Sequence, residues 1–164
     1  MLKGLAKLKK KSWELKIIET GPSEEKLKRL ASKLGISERI SWFGFQKEPF
    51  SLVKEVTALL LTSGYEGFPM VLVEAIQRGI PVISSDCGGP KDIVIAGVNG
   101  YLYREGDMDE FVRIVSDVID GRLSFDTPEN IAKTAERFRE DVVVENIYKS
   151  LLEIVSAVEV DCGE

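Results

Sequence analysis

The sequence predicts an α/β fold, a doubly wound parallel sheet, and three observations point to it. Short β-branched runs alternate with helical patterns along the chain, which is the mark of parallel strands joined by crossover helices. The run Ala58 to Leu61 is apolar at every position, as expected of a central strand covered on both faces. A length of 164 residues allows one full domain with a buried core and is short for two, so residues 1–164 are read as a single domain.

Each element follows from a local signal. Trp13 to Ile18 reads as the first visible strand. Pro22 and Ser23 start a helix through Leu34, with Leu27, Leu30, Ala31 and Leu34 at helical spacing and Gly35 as its stop. Ile40 to Phe43 is the next strand, followed by a short helical stretch around Phe50 to Glu55 and then the apolar strand. Pro69 opens a helix that runs to Arg78 and ends at Gly79, since a proline costs nothing at the first helical position. Val82 to Ser84 is another buried strand, and Tyr101 to Tyr103 follows the turn residues Asn99 and Gly100. Four or five parallel strands result. Helices at about Met108 to Ile119, Pro128 to Phe138 and Val142 to Val158 finish the chain, the last with Val144, Ile147, Leu151, Ile154, Val155 and Val158 on one apolar stripe. Val160 to Glu164 is expected to fray. Because the helical segment Leu2 to Lys11 leads into the Trp13 strand with no earlier strand before it, a βαβ unit lacking its first strand is expected, as in a truncated chain or an unusually short gene product.

Composition narrows the chemistry. With 22 basic and 27 acidic side chains the net charge is -5, so no broad basic surface exists to neutralise a nucleic-acid backbone. Lys3, Lys7, Lys9, Lys10, Lys11 and Lys16 gather at the start, where they serve either as a solvated helix face or as a contact for anionic lipid or a phosphorylated acceptor. Histidine is absent, and Cys87 and Cys162 follow no metal or disulfide spacing. A zinc site and a histidine base are thereby disfavoured. No apolar run reaches the roughly 20 residues of a membrane span and no signal-peptide h-region is seen, so a cytoplasmic location is expected.

The stretch from Thr62 to Asp92 carries the candidate chemistry. A loop leaves the carboxyl end of a buried strand, and the helix opened by Pro69 presents the amides of its first turn, near Phe68 to Leu72, where the dipole favours phosphate. Gly67 lets a backbone come close to a ligand, with Glu66 just before it. Glu74, among Met70, Val71, Leu72, Val73, Ala75 and Ile76, either faces a polar ligand such as a ribose diol or pairs with Arg78 four residues on. Two glutamates at this spacing are also what a helix cap and a surface charge would give.

The segment Glu66-Gly67-Phe68-Pro69-Met70-Val71-Leu72-Val73-Glu74-Ala75 resembles the two-glutamate motif of the family 4 glycosyltransferases of the GT-B fold. Gly79-Ile80-Pro81-Val82-Ile83 and Gly88-Gly89-Pro90 match the same family's continuation. The likeness covers about Leu15 to Val158, a whole carboxyl-terminal Rossmann-like domain that binds the sugar-nucleotide donor. Within the family, Thr57 to Ser63 and Ser84-Ser85-Asp86-Cys87 look most like bacterial lipopolysaccharide-core galactosyltransferases that use UDP-galactose.

The resemblance implies that Glu66 bonds hydroxyls of the donor sugar in the catalytic position, that Glu74 bonds the ribose hydroxyls, and that the backbone from Gly67 through Phe68, Pro69, Met70 and Val71 to Leu72 holds the diphosphate. Phe43 and Gly44, within Trp42-Phe43-Gly44-Phe45, match the seat of the uracil ring, although Trp42 and Phe43 are equally suited to a core. Gly21 matches the second glycine of a glycine-x-glycine turn whose first position is held here by Glu19, a carboxylate that would repel a diphosphate unless turned away. The family's arginine and lysine pair belongs after the strand this chain lacks, and the acceptor domain lies amino-terminal to it. The implied reaction is retaining transfer of a hexose to a glycan or lipid-linked acceptor, with no metal and no cofactor, with possible peripheral membrane contact, and with weak donor binding and no turnover for this chain alone. Two alternatives stand: a non-catalytic sugar-nucleotide module or subunit of a split transferase, and a nucleotide-sugar epimerase, which the lack of histidine disfavours.

Overall fold

A computed structural model describes residues 1–18, 20–53 and 55–161. Glu19, whose carboxylate bears on the glycine-x-glycine reading, lies outside the described residues, as does Cys162. The elements in chain order are α1 (Leu2–Lys7), β1 (Leu15–Ile17), α2 (Glu24–Leu34), β2 (Ile40–Trp42), β3 (Leu59–Leu61), α3 (Met70–Gln77), β4 (Val82–Asp86), β5 (Gly100–Arg104), α4 (Met108–Ile119), α5 (Pro128–Lys133) and α6 (Glu140–Asp161).

All strand pairs are parallel, and they fall into two sheets: β1 beside β2, and β3-β4-β5. The register sets Leu15 beside Ile40, Leu59 beside Val82, and Val82 beside Gly100. Alternation along the strands then sorts side chains to two faces of the larger sheet. On one face Ile83 and Tyr103 pack with Leu5 of α1, Leu8 after it, and Phe111, Ile114 and Val115 of α4. On the other, Val82 packs with Leu72, Val73, Ala75 and Ile76 of α3 and with Ile131 of α5. Helices on both faces make the sheet doubly wound, as the alternation of elements predicts.

The smaller sheet is tied in by α1. Leu2 joins the cluster of Ala31, Ile36 and Ile40, whereas Leu5 and Leu8 join the cluster under the larger sheet, and Trp13 and Leu15 border both. Gly4 makes this possible, because a Cβ there would stand 2.6 Å from Met108 Sδ and 2.7 Å from the Phe111 ring. Lys7 and Lys11 also reach across to α4 and its end, to Asp109 and Asp120. Half of the amino-terminal lysine group is therefore engaged within the fold, since Lys16 donates to the Leu52 carbonyl at 2.9 Å.

Several expectations change. β3 is covered on both faces, with Leu59 and Leu61 against the α3 cluster and Leu60 against the α4 cluster, but it is an edge strand rather than a central one and only half-buried, because its ladder runs to β4 alone. The segment from Phe50 is a single 3-10 turn, Pro49–Leu52. Pro69 is the residue before α3, with φ -76° and ψ 94°, not its first helical residue. The helix expected over Pro128 to Phe138 stops at Lys133 and resumes as a 3-10 turn, Glu136–Phe138. Thr134 supplies the reason: its hydroxyl donates to the Ile131 carbonyl at 2.7 Å and accepts from Asn99 Nδ2 at 2.8 Å. Buried Asn99 is fully paired, with Ile95 N–H donating to its Oδ1 and its amide donating to the Ile93 carbonyl, so it ties a loop to α5. The helix backbone continues to Asp161, past the expected fraying point, while the remaining tail residues lie outside the described ones. No helix among the described residues is long and apolar enough to cross a membrane.

Candidate functional site

The loop from β3 to α3 is pinned along its length. Ser85 Oγ donates to the Ser63 carbonyl at 2.6 Å, the Glu66 amide donates to the Cys87 carbonyl at 3.4 Å, and the Gly89 amide donates to the Glu66 carbonyl at 2.8 Å. Glu66 and Gly88 thus form an isolated parallel bridge beyond the regular β3-β4 ladder. Beneath this crossing, burial pushes the Tyr103 hydroxyl above its ordinary pKa, so it stays neutral near Ser85 and Cys87.

The start of α3 is open. Phe68, Met70 and Val71 are exposed, the last two on the helix itself, and no side chain caps the helix. Of the four amides between Phe68 and Leu72, that of Leu72 is already bonded to the Pro69 carbonyl at 3.0 Å, which corrects the expectation that it is unpaired. Pro69 has no N–H at all. The N–H groups of Phe68, Met70 and Val71 have no acceptor among the described residues and point where the helix dipole favours an anion. Nothing lies within 4 Å of a Cβ built on Gly67, so the space above it is clear. The Phe68 ring is held to one side by edge-on contact with Phe138, centroids 5.4 Å apart.

Glu66 and Glu74 are both half-exposed. Glu74 lies four residues after Met70, which puts it on the same open face of α3, while Leu72, Val73, Ala75 and Ile76 take the buried side. The ion pair with Arg78 is absent: the guanidinium donates to the main-chain carbonyl of Glu74 at 2.7 Å and stacks on Phe50, 4.3 Å from the ring centre. Neither carboxylate meets a cation among the described residues. Two acceptor groups therefore remain available, one in the loop that leads to the open helix start and one on the helix itself.

The remaining candidates form a second group. The Phe43 amide donates to the Ile17 carbonyl at 2.9 Å, which carries the β1-β2 ladder one step further. Gly44 then sits against the loop after β1, with its built Cβ 3.6 Å from Thr20 Cγ2, next to exposed Gly21. Trp42 packs at the edge of the core with Lys28 over its ring at 5.7 Å, whereas Phe43 is 37% exposed and belongs to no core cluster. Gly88 and Gly89 carry no role in the sequence reading beyond their place in the family-like run Gly88-Gly89-Pro90; what marks them is two glycines in succession after a buried strand.

The comparisons agree with this architecture. Residues 1–138 match the family described as Glycosyl transferases group 1. The lipopolysaccharide 1,6-galactosyltransferase of Salmonella typhimurium is 43% identical over 144 residues, covering 85% of this chain and 40% of that protein. Its counterpart from Escherichia coli is 38% identical, covering 95% of this chain and 44% of that protein. The chain thus spans about two-fifths of the length of these curated relatives. Among solved structures, the apo form of the lipopolysaccharide outer core galactosyltransferase WaaB superposes with a TM-score of 0.85 at 40% identity, over 93% of this chain and 43% of that one. Anabaena HepE in complex with UDP-glucose superposes with a TM-score of 0.67 at 26% identity, over 95% of this chain and 44% of that one. A doubly wound parallel sheet, the matched segment and these relatives together place the chain in the group 1 glycosyltransferases of the GT-B fold.

Proposed function

We propose that the chain binds the nucleotide-sugar donor, UDP-galactose or another UDP-hexose, for retaining transfer of the hexose to lipopolysaccharide or another glycan acceptor. The observation that carries this reading is the open start of α3, with three free amides and with two carboxylates, one just before the helix and one on it, that meet no cation among the described residues. Phosphate rests against the amides of Phe68, Met70 and Val71, where charge growing on the leaving diphosphate meets donors already in place. Glu66 accepts hydrogen bonds from hydroxyls of the sugar and steadies positive charge at its anomeric carbon. Glu74 accepts from the ribose diol, and Phe43, Gly44 and Gly21 border the base.

The likeness to lipopolysaccharide galactosyltransferases supports galactose, and the UDP-glucose complex of HepE supports a uridine nucleotide. The acceptor and the opposite wall of the cleft belong to a second domain, so donor binding is the activity assigned to this chain. Calorimetric titration with UDP-galactose tests it. Glu74→Ala should bind about tenfold more weakly than wild type, the loss of a hydrogen bond to a charged acceptor. Equal affinity would remove Glu74 from the ribose.

A further inference from the structure

We propose that Gly89, together with Gly88, is a positioning residue for Glu66; the proposal rests on the reading of Glu66 as the contact to the donor sugar. The lever is backbone geometry. Between β3 and the start of α3 the chain crosses the segment after β4 at close range, and the two are stitched by the Glu66 amide to the Cys87 carbonyl and by the Gly89 amide to the Glu66 carbonyl. Both main-chain polar groups of Glu66 are therefore bound to one neighbouring strand end. Its side chain is left as the free part.

Such an approach demands glycine twice. A Cβ on Gly89 would stand 2.1 Å from the Gly67 carbonyl oxygen, 2.7 Å from the Gly67 carbonyl carbon and 3.0 Å from Phe68 Cα, all backbone atoms that cannot swing aside. Gly88 adopts φ 119° and ψ -97°, a region closed to side chains, and its Cβ would lie 3.1 Å from the Glu66 carbonyl oxygen. Alanine at 89 must push residues 66–68 outward, and the Glu66 carboxylate moves with them. Because an interaction with a reacting sugar depends on placement to a fraction of an ångström, the glycines act through the glutamate without touching the ligand.

The test reads placement and binding separately. In the wild type the Gly89 amide should be strongly protected in hydrogen exchange; Gly89→Ala should shift the amide resonances of 63–70 while the core signals of β4 and α4 stay in place. An unprotected Gly89 amide, or unmoved signals at 66–68, overturns the clamp whatever the ligand does. Affinities for UDP and UDP-galactose are then measured for wild type, Glu66→Ala, Gly89→Ala and the double variant. Gly89→Ala should lose the galactose-dependent part of the affinity to about the same extent as Glu66→Ala, roughly tenfold, and the double variant should lose no more than either. Additive losses would show that Gly89 acts on something other than Glu66. Failure of the wild type to bind either nucleotide removes the donor reading instead, and the clamp is then decided by exchange alone.

Discussion

Two strand-to-helix junctions in this fold are built from the same parts and finished in opposite ways. After β5, the start of α4 is sealed: Asp107 Oδ1 accepts from the Glu110 amide at 2.9 Å, and Glu110 Oε2 accepts from the Arg104 amide at 2.9 Å. The amides of Met108 and Phe111 are taken up by the carbonyls of Gly106 and Asp107. After β3, the start of α3 has no capping side chain and keeps three amides free. Both helices carry a dipole of the same sense. What separates the structural junction from the proposed ligand site is whether the chain has already satisfied its own donors.

The strongest way to break the comparison is to loosen the open junction from beneath. Leu72 is fully buried on the inner face of α3, and Leu72→Ala should cost about 3 kcal/mol in urea denaturation, the usual loss for a leucine truncated in a close-packed core. A cost below about 1 kcal/mol would mean that α3 is not anchored by that face. A smaller effect is expected from giving α3 the finish of α4. Pro69→Asp places a capping carboxylate where phosphate is proposed to sit, and UDP affinity should fall about tenfold. Unchanged affinity would remove the helix start from the phosphate role.

The smallest effect concerns the sealed junction. The Glu110 amide, first, and then the charge of Arg104 hold the Asp107 carboxyl below its ordinary value of 3.8. A carboxyl depressed in the folded state stabilises fully above its unfolded value and loses that contribution as pH falls through the folded one. The stability difference between wild type and Asp107→Asn should therefore be small but present at neutral pH and should shrink below about pH 4. A difference independent of pH would assign the cap to hydrogen bonding without charge.

Much of this was legible in sequence because the signals were local. Periodic apolar residues and the stop at Gly35 marked α2, Pro69 and Gly79 bounded α3, the range read for α4 matches its observed ends, and the run of the β3 loop through Gly67 and Pro69 marked the open junction. What was not legible depended on contacts between distant residues. The two-sheet division follows from which edges pair, the end of α5 from Asn99 reaching Thr134, and the loss of the Glu74 to Arg78 pair from the stacking of Arg78 on Phe50. Proline's fixed φ suits both the last residue before a helix and the first within it, so Pro69 could be placed only to within one position. The crossing of Gly89 over Gly67 has no periodicity and leaves no trace beyond the glycines themselves.

Because α1 contributes Leu2 to one cluster and Leu5 to the other, with no ladder between the two sheets among the described residues, it works as a pin whose removal would leave each half with an unfilled side. Much of the coupling between the two halves thereby passes through a helix of six residues, and the proposed seat of the base and the proposed phosphate site, which belong to different sheets, would share one frame only while that short helix stays seated.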